Sequence, residues 1–128
     1  MRQPSGYGAM KTRNSLQKNL TADYSIDPLK DIGVTFTNTG ASADVNVTLP
    51  DATVGQVYRA RVTETTATYK IKFTPQSSDD INLISGVADS DGDYIISNGD
   101  GNESIELTCF TAGHWTATEQ LGTWAQEA

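Results

Sequence analysis

The chain has 128 residues, enough for one domain with a sizeable core, but only 37% of them are hydrophobic, a thin supply that favours association. The net charge is −7, and residues 1–22 carry +4 with no acid, which leaves −11 on the remaining 106. An acidic body repels nucleic acid and anionic membranes, no apolar run is long enough to span a bilayer, and a single cysteine excludes an internal disulfide.

Residues 1–31 break the pattern of everything that follows. Pro4, Gly6 and Gly8 interrupt any early helix, and Leu16 and Leu20 alone mark an apolar face on the stretch after Ala9. The segment carries basic and apolar side chains that a plain linker does not need. It reads as a basic arm that orders on a partner surface. The contacting residues expected are Arg2, Tyr7, Met10, Lys11, Arg13, Leu16, Lys18 and Leu20. No apolar region of a signal peptide is seen at the N-terminus. The reading is therefore a 1–31 arm followed by a 32–128 β-domain.

From Val34 onward the chain alternates with a period of two. Val34 and Phe36 share a face, then Val45, Val47 and Leu49, then Tyr58, Ala60 and Val62, with Asn38-Thr39-Gly40 and Pro50–Gly55 as turns. Tyr69, Ile71 and Phe73 alternate with Lys70 and Lys72, and Glu64–Ala67 suits a hairpin back to the Arg59/Arg61 strand. That pairing would gather Arg59, Arg61, Lys70 and Lys72 on one outward face, available to acids of a neighbouring subunit. Further strands are expected at Ile81–Ile84, Asp93–Ser97, Ser104–Phe110 and His114–Thr118, the domain closing at Leu121–Trp124. Short strands without an internal helix predict an all-β fold, an antiparallel β-sandwich or β-barrel with an extended, mostly irregular N-terminal arm.

Little in the sequence points to catalysis. Asp89, Asp91 and Asp93 take the first alternate positions of a calcium loop, but Tyr94 stands where that loop needs glycine, so an acidic turn is the reading. His114 is the only histidine and cannot build a usual zinc site. Cys109 alternates with Ile105 and Leu107 and reads as a buried small side chain, not a nucleophile. Trp115 and Trp124 are read as core or interface anchors, with sugar stacking as the alternative. No enzyme activity, cofactor or metal is expected.

Phe36-Thr37-Asn38-Thr39-Gly40, Val45-Asn46-Val47-Thr48-Leu49-Pro50, Ala52-Thr53-Val54-Gly55 and Tyr58 follow one another in an order similar to that of small β-structured virion proteins of tailed bacteriophages. The ending, Ile105–Cys109, Gly113-His114-Trp115 and Gly122-Thr123-Trp124, resembles theirs, and the likeness covers roughly residues 33–124. That family comprises capsid decoration (cement) proteins, head fibres and tail modules, usually homotrimers. The resemblance implies a structural protein of the outer capsid surface that binds the major capsid protein through its arm as a trimer. Subunit contacts are then expected at Arg59, Arg61, Lys70, Lys72, Trp115 and Trp124. The alternative is a head-fibre or tail-fibre module that recognises host glycans.

Overall fold

A computed structural model describes residues 16–64, 68–84 and 89–127. The fold is all-β, and among the described residues there is no helix. Among the described residues eleven strands run in order: β1 (Gln17–Asn19), β2 (Tyr24–Ser25), β3 (Thr35–Thr37), β4 (Val45–Thr48), β5 (Val57–Arg61), β6 (Ile71–Thr74), β7 (Asp80–Asn82), β8 (Ile95–Ser97), β9 (Ser104–Thr111), β10 (His114–Leu121) and β11 (Trp124–Gln126).

They build a six-stranded sheet, β1-β3-β5-β9-β10-β7, and a five-stranded sheet, β11-β8-β6-β4-β2. Phe36, Tyr58 and Leu107 from the first and Val47, Phe73 and Ile95 from the second meet in one buried cluster. Period-two alternation supplies one inward face per strand; β9 buries Ile105, Leu107 and Cys109 and turns Glu106, Thr108 and Phe110 outward.

The sheets are mixed, which corrects the expectation of an antiparallel sandwich. From β1 to β6 successive strands alternate between the two sheets, so neighbours within a sheet run parallel: β1 with β3, β3 with β5, β2 with β4, β4 with β6. Parallel neighbours need a long crossover, and here each crossover is spent as a strand of the opposite sheet. The result is three stacked two-strand coils, β1–β2, β3–β4 and β5–β6. Antiparallel pairs belong to the second half of the chain and its junctions with the coils: β9 with β10, β5 with β9, β6 with β8 and β8 with β11.

This topology changes two further expectations. Strands β1 and β2 lie inside the segment read as an arm, and Leu20 and Ile26 are buried in the core. The sandwich therefore begins by residue 16, not at 32. The hairpin joining β5 to β6 does not form, because the two strands belong to different sheets.

Candidate interaction surface

The outward face of the six-stranded sheet is the most featured surface among the described residues. Across it run Thr35 of β3, Val57, Arg59 and Arg61 of β5, and Ser104, Glu106 and Thr108 of β9, each set by strand register. Arg59 lies opposite Glu106, and its Nε donates to Glu106 Oε2 at 2.7 Å. Thr118 Oγ1 donates to the other oxygen of Glu106 at 2.6 Å, and Arg59 Nη1 reaches the Gly33 carbonyl at 3.4 Å. Arg61 is exposed and donates to Asn102 Oδ1 at 3.3 Å. With the Arg59 side chain 43% accessible, its ion pair contributes at most about 1 kcal/mol to stability.

Two depressions cross this face. One, of about 580 Å³, is lined by Leu16, Ile32, Val57 and Arg59. The other, of about 130 Å³, holds Arg59, Arg61, Glu106 and Glu119. Ile32 and Phe110 are each 63% exposed. The face thus combines apolar side chains with charges of both signs, the chemistry of a protein-binding surface more than of a small-molecule pocket.

The residues expected at subunit contacts separate in the structure. Arg59 and Arg61 share this outer face. Lys70 and Lys72 do not join them: they belong to the β6 region of the other sheet, where the Lys70 amide donates to Asp44 Oδ1 at 2.8 Å and Lys72 Nζ sits 4.5 Å from the centroid of the Tyr94 ring. Trp115 and Trp124 are core residues, 0% and 4% exposed. Trp115 lies against Tyr58 with ring centroids 5.7 Å apart, and Trp124 Nε1 donates to the Ser104 carbonyl at 3.1 Å. Neither indole presents a face to a sugar or to another subunit.

Of the expected capsid-contacting residues, Arg2, Tyr7, Met10, Lys11 and Arg13 lie outside the described residues. Leu16 is exposed on the groove wall, whereas Leu20 is buried. Lys18 Nζ donates to Tyr24 Oη at 3.0 Å and stands 3.7 Å from Asp31. The Tyr24 hydrogen bond, helped by Asp31, raises its pKa above the ordinary lysine value.

Buried polar side chains hold the loops. Glu103, fully buried, accepts the backbone N–H groups of Gly99 and Asp100 on Oε2 (2.7 and 2.9 Å) and of Asn102 on Oε1 (2.8 Å). Burial alone would push its pKa up; the backbone donors of Asn102, Glu103 itself, Asp100 and Gly99 outweigh it and hold the carboxyl below the usual range. Asp79 Oδ2 accepts the Ala52 amide at 2.9 Å, and Asp31 Oδ2 accepts Tyr24 Oη at 2.6 Å and the Asp27 amide at 2.9 Å. Nothing in the period-two alternation marks any of these as a buried lock. The one available signal was the Asn-Gly-Asp-Gly-Asn turn just before Glu103, whose exposed amides need an acceptor.

The remaining candidates also find structural roles. Cys109 is buried, its Sγ reaches the Thr111 carbonyl at 3.2 Å, and burial pushes the thiol up, away from nucleophilic character. The His114 imidazole turns to Asp80, with Nδ1 3.0 Å from both carboxylate oxygens. In the acidic turn, burial raises the Asp89 carboxyl, and nearby Asp93 and Asp80 add to it. Among the described residues no group of three or more His, Cys, Asp or Glu side chains is placed to hold a metal ion. No protein-family model matches the chain, and neither does any curated protein.

Proposed function

We propose that this protein is a structural component of a tailed-phage virion, a decoration protein that binds the outer capsid surface as a trimer and stabilises it, with the major capsid protein as its partner. The observation that carries the reading is a division of labour. Buried carboxylates and the thiol are committed to holding the fold, while the outer sheet face carries exposed Arg61 and Glu119 and the Arg59–Glu106 pair beside Leu16 and Ile32. The residues that carry the phage-protein resemblance support it as fold determinants. Asn38 of the Asn-Thr-Gly corner accepts the amides of Thr63 and Glu64 at 2.9 and 3.0 Å, and Leu49 before Pro50 is fully buried. Multivalent attachment then makes each weak contact strong, because three are linked in one particle.

The test is mass photometry of the full chain, followed by co-sedimentation with capsids stripped of decoration protein. A trimer that pellets with capsids is expected; a monomer at micromolar concentration that stays in the supernatant overturns the reading. The arm is tested by removing residues 1–15. A longer deletion would take away β1 and β2, so loss of binding could not be separated from loss of fold. A folded trimer that no longer binds capsids is expected. Charge reversal of Arg61 should weaken assembly and change its salt dependence, since it is the exposed arginine of the outer face.

A further inference from the structure

The three stacked coils are joined by side-chain oxygens as well as by backbone ladders. Where β1 ends, Asn19 Oδ1 accepts the Thr39 amide of the next coil at 2.8 Å, and Asn19 Nδ2 donates to the Thr39 carbonyl at 2.9 Å. One coil later, Asn38 Oδ1 accepts the Thr63 and Glu64 amides. In the other sheet, Asp23 Oδ1 accepts the Asn46 amide at 2.9 Å, and one coil later Asp44 Oδ1 accepts the Lys70 amide at 2.8 Å. At both steps the earlier coil offers an Asn and an Asp, and the later coil offers backbone N–H groups.

The first coil has no predecessor among the described residues: β1 and β2 are the terminal strands of their sheets, at the same end of the sandwich. The parallel ladder fixes which of their amides are spent. The Leu16 carbonyl and the Leu20 amide bond to β3, and the Ile26 amide bonds to β4. By alternation, the amides of Gln17, Asn19 and Ser25 turn to the outer edge, and all three residues are exposed. Beside this edge lies the groove walled by Leu16 and Ile32.

We infer that the β1–β2 end is a strand-addition site, which takes an extended polypeptide strand of a partner protein. The segment repeats the coil: one stretch runs parallel to β1 and the next parallel to β2, and an Asn and an Asp side chain offer oxygens to backbone amides of the first coil. The occupant's chemistry is specified by the two existing steps, each of which supplies that Asn and that Asp. Backbone bonding to an open edge gives the affinity, and the groove takes an apolar side chain. The inference is independent of the capsid reading.

A labelled peptide with the sequence of residues 16–26 is the probe, since in the fold this sequence presents Asn19 and Asp23 to the coil that follows it. Anisotropy titration with the full chain should show saturable binding. Replacing the peptide's Asn and Asp by alanine should weaken it roughly tenfold, two side-chain hydrogen bonds being lost. Gln17→Pro in the protein removes an outward N–H and should weaken binding too; the peptide variants keep the test valid if that substitution disturbs folding. Hydrogen exchange should show the Gln17, Asn19 and Ser25 amides gaining protection on binding. No binding up to about 1 mM peptide overturns the inference. So does binding indifferent to the alanine replacements. Protection of those amides already in the free full chain also overturns it, because the edge is then occupied by the chain's own residues or a second copy.

Discussion

Gly122 packs its bare Cα against the side chain of Glu103: a Cβ at Gly122 would fall 2.8 Å from Glu103 Cγ and 3.3 Å from its Cα. Gly122 also has φ of +75°, a conformation that costs an L-residue about 1–2 kcal/mol. Glu103 cannot retreat, because three backbone amides hold its carboxylate. Gly122→Ala is therefore expected to cost roughly 2–4 kcal/mol, strain and overpacking together. Gly33→Ala is the control: its φ is +73°, but no atom lies within 4 Å of the added Cβ. It should cost about 1–2 kcal/mol, the strain alone. Urea melts of the two variants check the difference.

The carboxylate itself carries a pH signature. Glu103 is held below its ordinary value of 4.5, so its contribution to stability is present above that pH and is lost as pH falls through the lower folded value. Glu103→Gln keeps the shape but places an amide N–H₂ where one oxygen now accepts. It should cost roughly 2–3 kcal/mol at pH 7, in line with hydrogen bonds to a charged group. Below pH 4.5 the gap between the wild-type and variant stability curves should narrow. A constant gap from pH 7 to pH 2.5 would show that the ionised carboxylate is not what holds the loop.

The alternation of Val45, Val47 and Leu49, and of Ile105, Leu107 and Cys109, told which side chains face the core, and the structure buries all six. A period of two cannot say which sheet a strand joins. The β5–β6 connection therefore reads as a hairpin, which sets Lys70 and Lys72 beside Arg59 and Arg61. Parallel neighbours such as Thr35 and Arg59 are brought together by crossovers that leave no local mark. Strand β1 escaped notice because Gln17, Lys18 and Asn19 have no apolar member; backbone pairing and the Asn19 side chain hold it. The outer face was half legible: Arg59 and Arg61 were recognised as outward, but their acidic neighbours Glu106 and Glu119 come from strands far along the chain. Trp115 and Trp124 read as core or interface anchors with sugar stacking as the alternative, and burial decides for the core.

Cys109 offers a built-in probe of opening. Its side chain is fully buried and burial raises the thiol pKa, so both access and thiolate content are suppressed in the native state. A thiol reagent should label it only through unfolding of the β9–β10 region. Labelling at pH 8 should be slower than for a free thiol by several orders of magnitude and accelerate in step with the denaturant unfolding curve. Immediate stoichiometric labelling of the folded chain would contradict the burial.

Asp89 is expected to oppose stability at neutral pH. Its carboxyl is raised above the ordinary 3.8, first by burial and then by the nearby Asp93 and Asp80. An acid whose folded pKa lies above its unfolded value binds protons more tightly when folded, so stability falls as pH rises from 3.8 through the folded value. Asp89→Asn keeps the side-chain oxygen that accepts the Ser90 amide at 3.0 Å and removes the charge. It should stabilise the protein at pH 7 by up to about 1 kcal/mol, and the gain should vanish by pH 3, where both forms are neutral at this position. Thermal melts of the two proteins across that range decide it; equal stability at pH 7 would mean that the charge at Asp89 is already relieved by its surroundings.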